Sequence, residues 1–201
     1  SIDLHQEFPN KFVILAVGRL VKEKNLGLLI ESVSLLNQQG QRVALAIVGS
    51  GPEENHLKLK IKNLSRAQLR GLKLEDVVRL YGWQENLGTF YKTADVLAIT
   101  SFAEGYNRTA VEAMSCGLPV IMTNVGLAGE TVKDQVNGLI LNRANATELA
   151  EKIKDLSQNQ DLRNKLSDGA SQTAQLMPNQ EENLNLYLKS WQLALKNHGR
   201  K

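Results

Sequence analysis

Cysteine is almost absent from this 201-residue chain, in which Cys116 stands alone. A single thiol excludes an intramolecular disulfide framework and fits a reducing compartment. Charge of one sign is scarce too: 24 Lys and Arg stand against 21 Asp and Glu, a net of +3. So small an excess lacks the concentrated footprint of a dedicated nucleic-acid binder, and no nucleic acid is expected as a partner. No apolar run approaches bilayer length, residues 12–17 being one of the longest. Nor does a basic start followed by an apolar stretch mark a secretory signal. His5, His56 and His198 are scattered without metal-ligand spacing and read as surface residues. What is present is a chain 42% hydrophobic and 22% charged, the make-up of a folded domain with a sizeable core. The expectation is a soluble cytoplasmic enzyme domain. Because the chain opens at Ser1 rather than Met, it is expected to be a piece of something longer.

Short apolar runs rich in Val, Ile and Leu recur at 12–17, 43–48, 77–81, 95–100, 119–123 and 138–141. Each is nearly continuous rather than alternating, as strands buried on both faces are. Between the first two, Leu26, Leu29, Ile30, Val33 and Leu36 recur at helical spacing, and Gly40 stops the helix. Leu57, Ile61 and Leu64 predict a second helix, and Leu87, Phe90 and Tyr91 a short third. This alternation predicts a parallel sheet with right-handed crossovers. The fold class is α/β, a Rossmann-like doubly wound sheet of about six strands with a helical C-terminal tail. From Thr147 onward only helical patterning remains, punctuated by Pro178. There Leu184, Leu188, Trp191 and Leu195 share a stripe that must bury against something, either its own domain or a partner domain.

Ligands of an open parallel sheet bind beyond the carboxyl ends of its strands, so the loops there are where chemistry belongs. The first is Gly18-Arg19-Leu20-Val21-Lys22-Glu23-Lys24, and the second is Gly49-Ser50-Gly51-Pro52. The fourth runs from Ser101 through Glu104, Gly105, Tyr106, Asn107, Arg108 and Thr109, and opens the helix carrying Glu112. A G-x-G-x-x-G fingerprint is missing after the first strand, as is a Walker P-loop, so NAD binding and ATP hydrolysis lose ground. An anion site assembled from separate loops remains. Arg19 and Lys24 could neutralise a diphosphate, while the helix beginning near Asn107 offers it unpaired backbone N–H groups. The ordinary alternatives are solvated charge for the two cations and helix capping for Asn107 or Thr109. Glu104 and Glu112 could instead be a glycosidase pair, whose carboxyls sit roughly 5–9.5 Å apart. Eight helical residues span about 12 Å, which disfavours hydrolysis and better suits the sugar and ribose ends of one ligand.

These residues resemble a known family. Glu104-x7-Glu112, continued as Ala113-Met114-Ser115-Cys116-Gly117-Leu118-Pro119-Val120, is similar to the signature of retaining nucleotide-sugar glycosyltransferases of family 4. Gly18-Arg19-Leu20 with Lys24 resembles their diphosphate clamp, Gly49-Ser50-Gly51-Pro52 their second loop, and Tyr81-Gly82-Trp83 the turn beside the base. Ala94-Asp95-Val96 and Glu130 through Asn137-Gly138-Leu139 follow in the family's order. The resemblance, over residues 12 to 176, implies a two-lobed GT-B enzyme of which this chain is the C-terminal, donor-binding lobe. Residues 1–10 would be the interdomain linker, 11–177 the nucleotide-sugar domain, and 178–201 a helix docking on the missing N-terminal, acceptor-binding lobe. Arg19 and Lys24 would hold the diphosphate of a nucleotide-sugar donor, with Gly18 and Gly49 beside it. Glu104 would bind sugar hydroxyls, helped by Gly105 and the backbone N–H groups of Tyr106 and Asn107. Arg108 and Thr109 would face the phosphates, Glu112 would hold the ribose, and the backbone near Trp83 would read the base. Catalysis would fall to Glu104, Arg19 and Lys24, with no metal and no cofactor, and this lobe alone would transfer little. Asn107 and Asn25 stand where the family often has glycine, and asparagine tolerates left-handed backbone.

An epimerase or sugar phosphorylase lobe shares the architecture, and a non-catalytic assembly module is the reading from another class. Cys116 is expected to be a small buried residue. Asn63, Asn107 and Asn145 begin formal glycosylation triplets, read as chance. Lys58, Lys60, Lys62, Arg66, Arg70 and Lys73 form a basic run, ordinarily a solvated helix face. The sharper alternative is attraction to an anionic membrane surface bearing lipid-linked acceptors, at the inner face of a membrane.

Overall fold

In the computed structural model, which describes residues 2–66, 73–178 and 180–198, the six apolar runs are strands. They are β1 (Phe12–Val17), β2 (Val43–Val48), β3 (Val78–Leu80), β4 (Val96–Ile99), β5 (Val120–Thr123) and β6 (Gly138–Leu141). All pair in parallel, in the order β3-β2-β1-β4-β5-β6. The order turns back between β1 and β4, so the crevice of a doubly wound sheet lies there. Continuous apolar sequence follows from burial on both faces: β2, β4 and β5 are buried along their whole length.

The helices are α1 (Leu4–Glu7), α2 (Leu26–Gln38), α3 (Glu54–Arg66), α4 (Gly88–Thr93), α5 (Arg108–Ser115), α6 (Ala146–Gln158), α7 (Gln160–Gln175) and α8 (Gln180–His198). Right-handed crossovers that step from β1 to β2 in one direction and from β4 to β5 in the other put α2 and α5 on opposite faces. α2 packs with α3 and α6, and α5 with α7. Each covers the sheet with an apolar stripe, such as Leu29, Ile30, Val33 and Leu36 of α2.

Residues 1–10, expected as a linker, are folded onto the domain as far as they are described. Leu4, which opens α1, and Phe8, its C-cap residue, are both buried. The N–H of Leu4 donates to Thr93 Oγ1, and Asp3 caps α1 by accepting from His5 and Gln6. α8 behaves oppositely. Its apolar residues, among them Leu184, Leu188, Trp191 and Leu195, are 43–74% exposed, so its stripe does not pack on this domain. Among the described residues, no helix is long and apolar enough to cross a membrane.

Cys116 corrects an expectation: it is exposed. The helix before it is only eight residues long, so the C-cap position occupied by Cys116 is still at the surface. The chain then turns into β5 through Gly117, at φ 72°. The basic run is partly neutralised, Lys58 by Glu54 and Lys60 by Glu31 of α2, while Arg70 lies outside the described residues. Asn145 is occupied as the cap of α6, accepting from Glu148 N–H.

Candidate functional site

The loops after β1 and β2 lie backbone against backbone. Gly18 N–H donates to Val48 carbonyl, Leu20 N–H to Ser50 carbonyl, and Gly49 N–H to Gly82 carbonyl. A Cβ on Gly49, whose φ is 140°, would sit 1.9 Å from the Gly18 carbonyl oxygen. Glycine is therefore required at 49 for close approach. A single turn, Lys22–Lys24, then leads to Asn25 in left-handed backbone (φ 48°, ψ 39°), the conformation expected of an asparagine in glycine's place.

The β4 loop is sewn to this turn. Thr100 Oγ1 donates to the Lys24 and Asn25 carbonyls at 2.9 and 3.1 Å, and Phe102 N–H donates to the Glu23 carbonyl at 2.8 Å. The result brings the predicted cation and the predicted acid together: Lys24 Nζ donates to Glu104 Oε1. Ser101 Oγ donates to the same oxygen at 2.5 Å. The side chains of Lys24 and Glu104 are 27% and 11% exposed, enough to hold the pair and leave it reachable. Arg19 and Arg108 are exposed nearby in sequence, on the same C-terminal edge of the sheet.

Asn107 takes the N-cap position of α5, yet its side chain makes no capping hydrogen bond. Among the described residues, none accepts from the backbone N–H groups of Tyr106, Asn107, Arg108 or Thr109. A helix start with free N–H groups next to two loop cations is an arrangement suited to binding an anion. One turn further on, Glu112 is exposed and accepts from the hydroxyl of buried Tyr91 at 2.7 Å. Burial, then the bond to Glu112, raises the Tyr91 pKa far above that of a free phenol, so Tyr91 remains a donor. One carboxylate oxygen of Glu112 is thus fixed while the other stays available.

Of the expected site residues, Gly18, Arg19, Lys24, Asn107 and Thr109 line the tight floor of the β1–β4 crevice, a cavity of about 10 Å³, while Gly49, Trp83, Glu104, Gly105, Tyr106, Arg108 and Glu112 lie outside that lining. A roomier hollow of about 340 Å³ between α2 and α3 contains none of them. The site is an open shelf. Trp83, Phe102 and Tyr106, in loops after β3 and β4, are each about two-thirds exposed, Phe102 at the hollow between α2 and α3. Sequence reading missed Ser101 and Tyr91, which orient the two carboxylates. Tyr91 sat in plain view as a helix-stripe residue; only its partner, 21 positions away, gives it a role. Among the described residues, no three His, Cys, Asp or Glu cluster as metal ligands would.

Residues 3–173 match the family described as Glycosyl transferases group 1, and the chain belongs to it. It is 31% identical over 160 residues to the uncharacterized glycosyltransferase MJ1178 of Methanocaldococcus jannaschii, covering 79% of this chain and 42% of that protein. It is 30% identical over 159 residues to the capsular polysaccharide biosynthesis glycosyltransferase CapM of Staphylococcus aureus, covering 79% and 40%. The chain thus spans about two-fifths of the length of these relatives. The fold matches HepE of Anabaena in complex with UDP at a TM-score of 0.75 and 27% identity, over 85% of this chain and 46% of that one. It also matches, at 0.74 and 20% identity, the C-terminal domain of a glycosyl transferase group 1 protein (LpcC) of Francisella tularensis, over 87% and 92%.

Proposed function

We propose that this chain is the donor-binding lobe of a retaining, family 4 glycosyltransferase, which moves a sugar from a nucleoside diphosphate to an acceptor hydroxyl. The observation that carries the reading is the convergence at the β1–β4 crevice of Lys24, Glu104, the free N–H groups starting α5, and Glu112. UDP in the solved HepE complex supports a nucleotide in the same fold.

In this reading the bond between the anomeric carbon and the β-phosphate oxygen breaks, and its electron pair leaves with the diphosphate. Lys24, Arg19 and the start of α5 stabilise that charge where it develops, with no resident metal needed. Glu104 accepts from sugar hydroxyls and Glu112 from the ribose. The acceptor oxygen bonds to the anomeric carbon on the face the diphosphate leaves, and its proton passes to a phosphate oxygen. No nucleophile is needed from this lobe. The exposed aromatics and the bare stripe of α8 support a second lobe that covers this edge and completes the acceptor side.

The test is the thermal midpoint of this chain with UDP, GDP and ADP, beside Lys24→Ala and Glu112→Ala. A nucleotide at a hundredfold its Kd raises the midpoint of a chain this size by about 5–10 °C. The expected result is a rise with one base, lost in both variants. No rise with any of the three, in this chain or in the full-length enzyme, overturns the reading.

A further inference from the structure

Asn107 is 3% exposed, and among the described residues its Nδ2 is the one buried side-chain nitrogen or oxygen without a hydrogen-bond partner. Burying an amide N–H2 unpaired is unfavourable, so such a group needs a reason to be there. The usual reasons for asparagine at a helix start do not apply. Its backbone, at φ −88° and ψ 85°, is not left-handed, and its side chain does not cap α5. Thr109 Oγ1 donates to its Oδ1 at 3.5 Å, and Nδ2 is left without a partner.

The surroundings say what that end awaits. Asn107 lines the crevice floor with Gly18, Arg19, Lys24, Ser101 and Thr109. Arg19 and Lys24 have donors only and can never accept from Nδ2. The backbone N–H groups at the start of α5 are donors as well. The Asn107 amide and the N–H groups at the start of α5 lack an acceptor, the Arg19 and Lys24 cations stand beside them, and an oxyanion answers the donors and the charge together. We infer that the side chain of Asn107 is a further binding contact for the leaving group, its Nδ2 donating directly to a phosphoryl oxygen of the donor's diphosphate. The inference rests on the donor-lobe reading above and adds to it a side-chain donor where glycine would supply none.

The experiment is calorimetric titration of the 201-residue chain and its Asn107→Ala and Asn107→Asp variants with UDP, GDP, ADP, their glucose conjugates and the parent nucleosides. Asn107→Asp keeps the shape and replaces the donor by a carboxylate, so it stays informative if the smaller variant folds poorly. Loss of a hydrogen bond to a charged oxygen weakens the diphosphate by about tenfold in Asn107→Ala, and repulsion weakens it further in Asn107→Asp. Weak nucleoside binding stays unchanged in both. Wild-type binding that Asn107→Ala retains within twofold overturns the inference and leaves the donor lobe standing; Nδ2 then serves a buried water. A loss confined to the sugar conjugates, with the free diphosphates unaffected, overturns it in favour of a sugar hydroxyl. If the wild type binds none of the diphosphates, this inference and the donor-lobe reading fail together.

Discussion

The two edges of the sheet are finished in opposite ways. At the N-terminal ends of the strands polar groups are answered from within. Asp95 accepts from Val13 N–H and faces His5, Leu4 N–H finds Thr93, and Arg79 pairs with Glu7 and lies over the Phe8 ring. At the C-terminal ends, donors are left over, on Asn107 and along the start of α5, and Trp83, Phe102 and Tyr106 stand exposed. The same apolar strands run between the two. The contrast teaches that one edge closes the fold and the other awaits something. A six-residue strand separates them by about 20 Å, so changes at the two edges should act independently.

That separation is open to a direct challenge. Phe8→Ala removes a fully buried ring at the closed edge and should cost about 3–5 kcal/mol, lowering the thermal midpoint by about 6–20 °C. The Kd for nucleoside diphosphate, measured well below the midpoint, should not move. Lys24→Ala should do the reverse. Its pair with Glu104 is partly exposed, so stability should change by about 1 kcal/mol or less. Diphosphate binding should weaken by about 30- to 100-fold, as expected for a lost charge-assisted contact. A Phe8→Ala chain with weakened affinity, or a Lys24→Ala chain that melts much lower, would show that the edges are coupled.

The closed core was the more legible part of the sequence. Parallel strands buried on both faces must be continuous apolar runs, so 12–17, 43–48 and 138–141 match the observed strands residue for residue. α1 was not legible because four residues are too few to display a period, and the burial of Leu4 and Phe8 shows only in the fold. At the open edge, the loop cations and the two glutamates could be read because they follow strands in order. Their partners could not. Ser101 and Tyr91 act across three-dimensional contacts that local spacing does not encode, and Cys116 sits where a short helix ends sooner than its apolar neighbours suggest. The side chain of Asn107 was read as a tolerated replacement for glycine. Only its burial shows a donor without an acceptor.

Within the open edge the comparison sharpens to single hydrogen bonds. Tyr91→Phe removes the donor that fixes Glu112 and leaves the ring in the core. Binding of the ribonucleoside diphosphate should weaken by about five- to tenfold, in line with one hydrogen bond to a charged group. The same diphosphate on a 2′,3′-dideoxyribose should bind both chains alike, because Glu112 then has no hydroxyl to hold. Equal losses with both sugars would make Tyr91 a packing residue and nothing more.

The smallest effect belongs to the closed edge. Burial pushes the Asp95 carboxyl above its ordinary value of 3.8, against the opposing pull of Val13 N–H, His5 and Arg163. An acid raised in the folded state holds more protons folded than unfolded between its two pKa values. Its contribution to stability is therefore complete below the unfolded value and is lost as pH rises through the folded one. Asp95→Asn cannot titrate and keeps an oxygen for Val13 N–H. Urea unfolding of both chains from about pH 3.5 to 7 should show the wild type most favoured, relative to the variant, at the acid end, with the advantage declining and then levelling off. His5→Gln in both chains removes the facing imidazole and should leave the sign of that slope unchanged, because burial is the larger cause. A slope of the opposite sign would mean that hydrogen bonding and charge outweigh burial at Asp95, and that the closed edge is held as much by ions as by its apolar seal.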